Sequence, residues 1–183
     1  MTPLKKKSSI LQRTEIERLL ARMAHEIVER NQGLTNVVLV GIRTGGAILV
    51  DQLAQMLRKI ESTINVPVGV VDITLYRDDL TNKIPIVRTT DIPFGIEDRD
   101  LVLVDDILFT GRTIRSALDA IIDLGRPKTI QLAVLIDRGH RELPIQGDYV
   151  GKRVETRHDE HLKLLIHNGQ ASDVVLYQQE SSS

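Results

Sequence analysis

Leu101-Val102-Leu103-Val104-Asp105-Asp106-Ile107-Leu108-Phe109-Thr110-Gly111-Arg112-Thr113 is the stretch from which the fold of this chain is read. The aliphatic run Leu101–Val104 is short and continuous, the pattern of a strand buried on both faces of a parallel sheet. Two adjacent carboxylates close it, and a loop over 105–111 leads into a helix over 113–124. Gly125 and Pro127 stop that helix. In a parallel sheet, ligands sit outside the carboxyl ends of the strands. A helix start offers unpaired N–H groups and the positive end of a dipole. Gly111 lets the backbone approach an anion closely, and Thr110 and Thr113 add hydroxyl donors.

The two halves of this loop suit different chemistry. The Thr110–Thr113 half is built for a phosphate. Asp105 and Asp106 repel phosphate but accept hydrogen bonds from sugar hydroxyls, and they can hold the water shell of Mg²⁺. Together they fit a ribose 5-phosphate. An N-capped helix with acids placed for its dipole explains two aspartates in isolation, but not the whole combination.

Working outward, Ile16, Leu19, Leu20, Met23, Ile27 and Val28 recur at helical spacing, which predicts a helix over 15–31 ended by Gly33. Thr14 is its expected N-cap, with Glu15 and Glu17 in the first turn. Val37–Ile42 reads as a second buried strand, followed by the tight loop Arg43-Thr44-Gly45-Gly46 and a helix over 47–60. Strands are expected over 66–75 and 129–136, and a loop or small hairpin over 77–95. Residues 1–12 and 178–183 are polar and expected to fray. Strands that alternate with helices imply an α/β fold with a central parallel sheet. With no internal repeat and no linker, residues 1–183 are expected to form one domain.

Composition narrows the function. The chain has 183 residues, 42% hydrophobic and 27% charged, as in an ordinary globular protein. Aromatic residues make up only 3%, so the core must be aliphatic. There is no cysteine, which removes disulfides, thiolate metal sites and cysteine nucleophiles. His158, His161 and His167 lack a supporting carboxylate cluster and read as surface histidines of a hairpin or loop, with no direct metal site. No apolar run approaches the ~18 residues of a membrane span, and no secretory signal follows Lys5, Lys6 and Lys7, so the cytoplasm is the expected location. A net charge of −1 confines any nucleic-acid contact to a local patch.

The thirteen-residue stretch closely resembles the signature by which type I phosphoribosyltransferases bind phosphoribosyl pyrophosphate (PRPP). Two further blocks, Asp72-Ile73-Thr74-Leu75-Tyr76-Arg77-Asp78-Asp79-Leu80 and Asp137-Arg138-Gly139-His140-Arg141-Glu142-Leu143-Pro144-Ile145, extend the likeness. Together they resemble the PyrR family, pyrimidine operon attenuation proteins that also have uracil phosphoribosyltransferase activity. The resemblance implies a type I phosphoribosyltransferase fold with a small hood, and conversion of uracil and PRPP to UMP and pyrophosphate with Mg²⁺. It implies that Asp105 and Asp106 face the ribose hydroxyls and that the segment through Ile107, Leu108, Phe109, Thr110, Gly111, Arg112 and Thr113 binds PRPP. Arg43, Thr44, Gly45 and Gly46 fall at the pyrophosphate loop. Arg77 begins a catalytic loop that closes over PRPP, and Asp137, Arg138 and Gly139 belong to the hood over the base. The chain departs from the family pattern at Gly45, where many members carry Arg, which leaves Arg43 to supply charge there.

The same resemblance implies a dimer or larger homo-oligomer, and binding of the pyrimidine-operon leader RNA in response to UMP. Arg22, His25, Arg30, Arg141, Lys152 and Arg153 are the candidates for that surface, Arg22 and His25 sharing one helix face. Ala21 and Gln146 stand where RNA-binding members carry polar or basic residues, and few aromatics are available to stack on bases. Two alternatives stay open. One is a regulator that senses UMP or PRPP with little catalysis, and the other is transfer to another base such as hypoxanthine, adenine or orotate.

Overall fold

The structure is a computed structural model and describes residues 4–74 and 90–179. The elements in chain order are β1 (Leu4–Gln12), α1 (Arg13–Asn31), β2 (Val37–Ile42), α2 (Gly45–Ile60), β3 (Val68–Val71), β4 (Asp100–Leu108), α3 (Arg112–Leu124), β5 (Thr129–Asp137), β6 (Tyr149–Arg153), β7 (Glu160–His167) and β8 (Gln170–Gln179). β2 to β6 form a five-stranded sheet in the order β3-β2-β4-β5-β6, with every named pairing parallel. The expected α/β class and central parallel sheet are therefore present. β1, β8 and β7 form a separate antiparallel sheet.

Strand alternation distributes the aliphatic residues between two cores. Val37 and Leu39 of β2, Val102 and Val104 of β4, and Ala133 and Leu135 of β5 pack with α1, α2 and the inner face of β8. The intervening Val38, Val40, Leu101, Leu103, Leu132 and Val134 pack beneath Ile114, Ala117, Ala120 and Ile121 of α3. Helices thus cover both faces, which is why the central strands read as unbroken apolar runs.

Several boundaries differ from the sequence expectation. Residues 4–12 do not fray: they pair with β8 from Leu4↔Gln179 to Gln12↔Asp173, and Leu11 enters the core. The same ladder carries Gln178 and Gln179 within β8. Only Ile10 and Leu11 of this strand turn inward, so its own pattern carries almost no strand signal. Helix α1 begins at Arg13 with Gln12 as its cap in place of Thr14, and the Gln12 N–H donates to Glu15 Oε2 at 2.9 Å. β3 is shorter than expected, and Asp72 to Thr74 lie beyond it. β4 continues through Asp105 and Asp106 to Leu108, so both carboxylates stand in the strand; Asp105 pairs with Val134 of β5.

Among the described residues no helix is long and apolar enough to cross a membrane.

Candidate active site

From β2 the chain runs through α2 to β3 on one side, whereas β4 lies on the other side of β2. The carboxyl ends of β2 and β4 therefore flank a point where the winding reverses, the standard crevice for a ligand in an open α/β sheet. The loop 43–46 leaves β2 there, the loop 109–111 leaves β4, and Asp137 ends β5 beside it.

The Asp105–Ser116 segment lines a cleft of about 310 Å³, and every residue from Ile107 to Thr113 contributes to its wall. Gly111 caps α3 at φ +94, a conformation that favours glycine. Asp105 is nearly buried, and its Oδ1 accepts from the Asp106 N–H at 3.0 Å. Asp106 Oδ1 accepts from the Ile107 N–H at 2.9 Å. Burial pushes both carboxyls above the usual carboxylate range, and for Asp105 the neighbouring Asp106 charge pushes further the same way. Among the described residues neither has a lysine or arginine partner. Such a pair of uncompensated oxygen donors matches the ligand preference of a hard divalent cation.

The loop from β2 packs directly on this element. A Cβ on Gly45 would overlap the Asp106 carboxylate, and one on Gly46 would overlap the Val104 carbonyl oxygen. The two glycines let the start of α2 lie against the backbone of β4. The Arg43–Thr44 peptide at the head of this loop is cis. Gly45 and Gly46 thus meet Asp105 and Asp106 at the carboxyl end of the sheet, while the Arg43 N–H donates to Val71 O of β3.

On the other flank, Asp137 Oδ1 accepts from the Gly139 N–H at 3.0 Å and lies 2.6 Å from Arg141 Nη2. Burial alone would raise the Asp137 carboxyl, but the bonds from Arg141 and Gly139 outweigh it and hold the group below its ordinary value. Arg138 is almost fully buried. Its Nε donates to Thr156 Oγ1 at 3.0 Å and its Nη2 to Arg157 O at 2.9 Å, and its guanidinium lies 4.0 Å from the centre of the Phe109 ring. His140 meets the same ring edge-on and joins His158, with Nδ1 and Nε2 3.1 Å apart. Arg138 therefore braces the hood against Phe109. A second cavity of about 590 Å³ runs from Asp137 and Arg138 past Ile145 to Arg153 and Glu155.

Sequence reasoning missed Thr156, Arg157 and His158 as supports of the hood, because they lie outside any periodic or motif-bearing segment. It also missed that Glu142 and Leu143 bind the Thr110 carbonyl through their N–H groups. Arg77, with Tyr76, Asp78 and Asp79, lies outside the described residues.

The basic candidates separate into two groups. Arg22 Nη2 donates to Val150 O and Gly151 O, Arg30 Nη1 pairs with Asp148 at 2.7 Å, and Lys152 Nζ donates to Ile10 O. With His25 exposed one turn from Arg22, these residues follow the α1–β6 edge. Arg141 and Arg153 instead line the hood cavity.

The phosphoribosyl transferase domain family matches residues 6–163. Bifunctional protein PyrR of Deinococcus radiodurans is 53% identical over 171 residues, covering 92% of this chain and 93% of that protein. The protein of the same name from Roseiflexus sp. is 59% identical over 160 residues, covering 86% and 87%. That from Bacillus subtilis is 48% identical over 182 residues, covering 97% and 100%. Among solved structures, the hypoxanthine phosphoribosyltransferase of Trypanosoma cruzi superposes with a TM-score of 0.72 at 20% identity, over 96% of this chain and 98% of that one, a likeness of fold alone.

Proposed function

This chain belongs to the phosphoribosyltransferase family and, within it, to the PyrR proteins, and on that footing we propose that it converts uracil and PRPP to UMP and pyrophosphate and regulates pyrimidine gene expression. One observation carries the catalytic half. The buried Asp105, the loop after β4 and the start of α3 line one cleft at the switch point of the sheet, and the glycine-tight loop after β2 packs on the neighbouring Asp106.

The substrate's parts suit the parts of the cleft. The 5-phosphate fits the Thr110–Thr113 turn, the ribose hydroxyls fit Asp105 and Asp106, and the pyrophosphate fits the 43–46 loop. Uracil then faces the hood that begins at Asp137. In the reaction the C1′–O bond to pyrophosphate breaks, a bond from uracil N1 to C1′ forms, and the N1 proton leaves the base. With no covalent step on the enzyme, catalysis is positioning and stabilisation of charge. Mg²⁺ fits as the accompanying cation: Asp105 and Asp106 would hold its water shell, and when bound it neutralises charge on the pyrophosphate. Arg77, which lies outside the described residues, is proposed to meet the departing pyrophosphate.

Regulation is proposed to act through the α1–β6 edge, where Arg22, Arg30 and Lys152 offer cations and His25 a polar ring to the leader RNA of the pyrimidine operon, with UMP as the signal. A homo-oligomer of two or more chains and a cytoplasmic location accompany this reading.

The test incubates the purified chain with labelled uracil, PRPP and Mg²⁺. UMP is the expected product. Absence of UMP, with UMP still bound by the protein, would replace the enzyme with a nucleotide-sensing regulator. Product from hypoxanthine or orotate in place of uracil would overturn the choice of base.

A further inference from the structure

Three successive carbonyl groups at the end of β4 are held by one segment of the hood. The Arg138 N–H donates to Leu108 O at 3.0 Å, Arg141 Nη1 donates to Phe109 O at 2.7 Å, and the N–H groups of Glu142 and Leu143 donate to Thr110 O at 2.9 and 3.2 Å. The peptides concerned are trans, so each N–H points opposite its carbonyl. With the carbonyls of Leu108, Phe109 and Thr110 turned to the hood, the N–H groups of Phe109, Thr110 and Gly111 are turned away from it. Consecutive N–H groups presented together make an anion-binding concavity, and this one runs into the first turn of α3.

The middle carbonyl is the only one of the three held by a side chain, and that side chain is a hub. Arg141 also donates from Nε to Ile145 O at 2.9 Å and from Nη1 to Gly139 O at 3.1 Å, and pairs through Nη2 with Asp137 at 2.6 Å. A planar guanidinium can span four such acceptors at once, whereas a lysine ammonium is a point donor that cannot. The side chain is only 22% exposed, which suits a brace better than a surface contact.

We propose that Arg141 is a positioning residue for phosphoribosyl transfer: it holds the Phe109 peptide so that the phosphate cradle is formed before substrate arrives, and ties that cradle to the base side of the site. This deepens the transferase reading above and rests on it. It gives Arg141 a different task from the RNA contact that the family resemblance implies.

The experiment compares the wild-type chain with Arg141→Lys and Arg141→Met. It measures steady-state UMP formation, calorimetric binding of ribose 5-phosphate, and thermal melting as a check of folding. In folded variants KM for PRPP and Kd for ribose 5-phosphate are expected to rise by about tenfold or more, because a charge-assisted bond is lost and lysine does not restore it. The kcat at saturating PRPP is expected to stay within about threefold, the pattern of lost binding and not of lost chemistry. Folded variants whose ribose 5-phosphate affinity matches wild type overturn the proposal. A wild-type chain that makes no UMP would sink the transferase reading, while ribose 5-phosphate binding would still report on Arg141. A second measurement needs no variant. Ribose 5-phosphate added to the isotope-labelled wild type should shift the amide resonances of Phe109, Thr110 and Gly111; unmoved amides with ligand bound overturn the cradle argument.

Discussion

Alanine at Gly46 puts the contact between α2 and β4 to the test. Its Cβ would overlap the Val104 carbonyl oxygen and come within 3.1 Å of the Val104 carbon and 3.2 Å of Asp105 Cα. All three are backbone atoms of a central strand, hydrogen-bonded to β2 and β5 on either side, so β4 cannot yield. Helix α2 must instead withdraw by on the order of 1 Å to regain van der Waals separation. Overpacking of this kind costs about 1–3 kcal/mol. At this chain length that lowers Tm by roughly 2–12 °C, taking about 2–4 °C per kcal/mol. The same withdrawal carries the 43–46 loop away from Asp106. Misplacement by about 1 Å near reacting groups costs on the order of 10²-fold in rate, so kcat/KM for PRPP should fall by about that factor. Calorimetric melting and steady-state UMP formation read the two effects. A variant that melts within about 1 °C of wild type, against the shift expected at this size, and turns over normally would refute backbone-to-backbone packing here.

Four further outcomes are expected. Replacing Asp105 and Asp106 together with Asn should abolish PRPP turnover; near-normal activity would remove both from the site. The same pair sets a pH dependence: the folded carboxyls sit above their unfolded value near 3.9, so the unfolded chain releases its protons first and stability falls as pH rises through that value towards the raised one. Asp105→Asn escapes its share of this loss, so its Tm should gain on wild type as pH rises above about 4, and a pH-independent difference would contradict the assigned direction. Arg138→Met should lose about 2–4 kcal/mol in urea unfolding, because it removes the bonds to Thr156 and Arg157 and the stacking on Phe109; wild-type stability would show that the buried guanidinium braces nothing. Deleting residues 1–11 should lower Tm and promote aggregation, since Leu11 leaves the core and β8 becomes a bare edge. A truncated chain that melts as wild type would show that the β1–β8 ladder contributes no stability.

The sequence by itself determined the parallel sheet, the helices on its two faces and the phosphate-binding turn. Each of these is written locally. A strand buried on both faces needs a continuous apolar run, as in Val37–Ile42 and Leu101–Val104, and an amphipathic helix needs the spacing seen from Ile16 to Val28. An anion turn needs glycine and hydroxyl residues at a helix start, as in Thr110–Thr113. Only the tertiary structure decided features whose partners lie far along the chain. Leu4–Gln12 has little strand pattern of its own and is ordered by a ladder to β8, more than 150 residues away. Asp105 and Asp106 read as loop because carboxylates seldom enter a buried strand, yet the pairing with β5 carries β4 past them. Arg138 and Arg141 read as residues that reach outward to a ligand. A guanidinium's direction is set by the nearest unpaired acceptors, and here those are Thr156 and the carbonyls of Arg157, Phe109, Gly139 and Ile145, which only folding brings within hydrogen-bond distance.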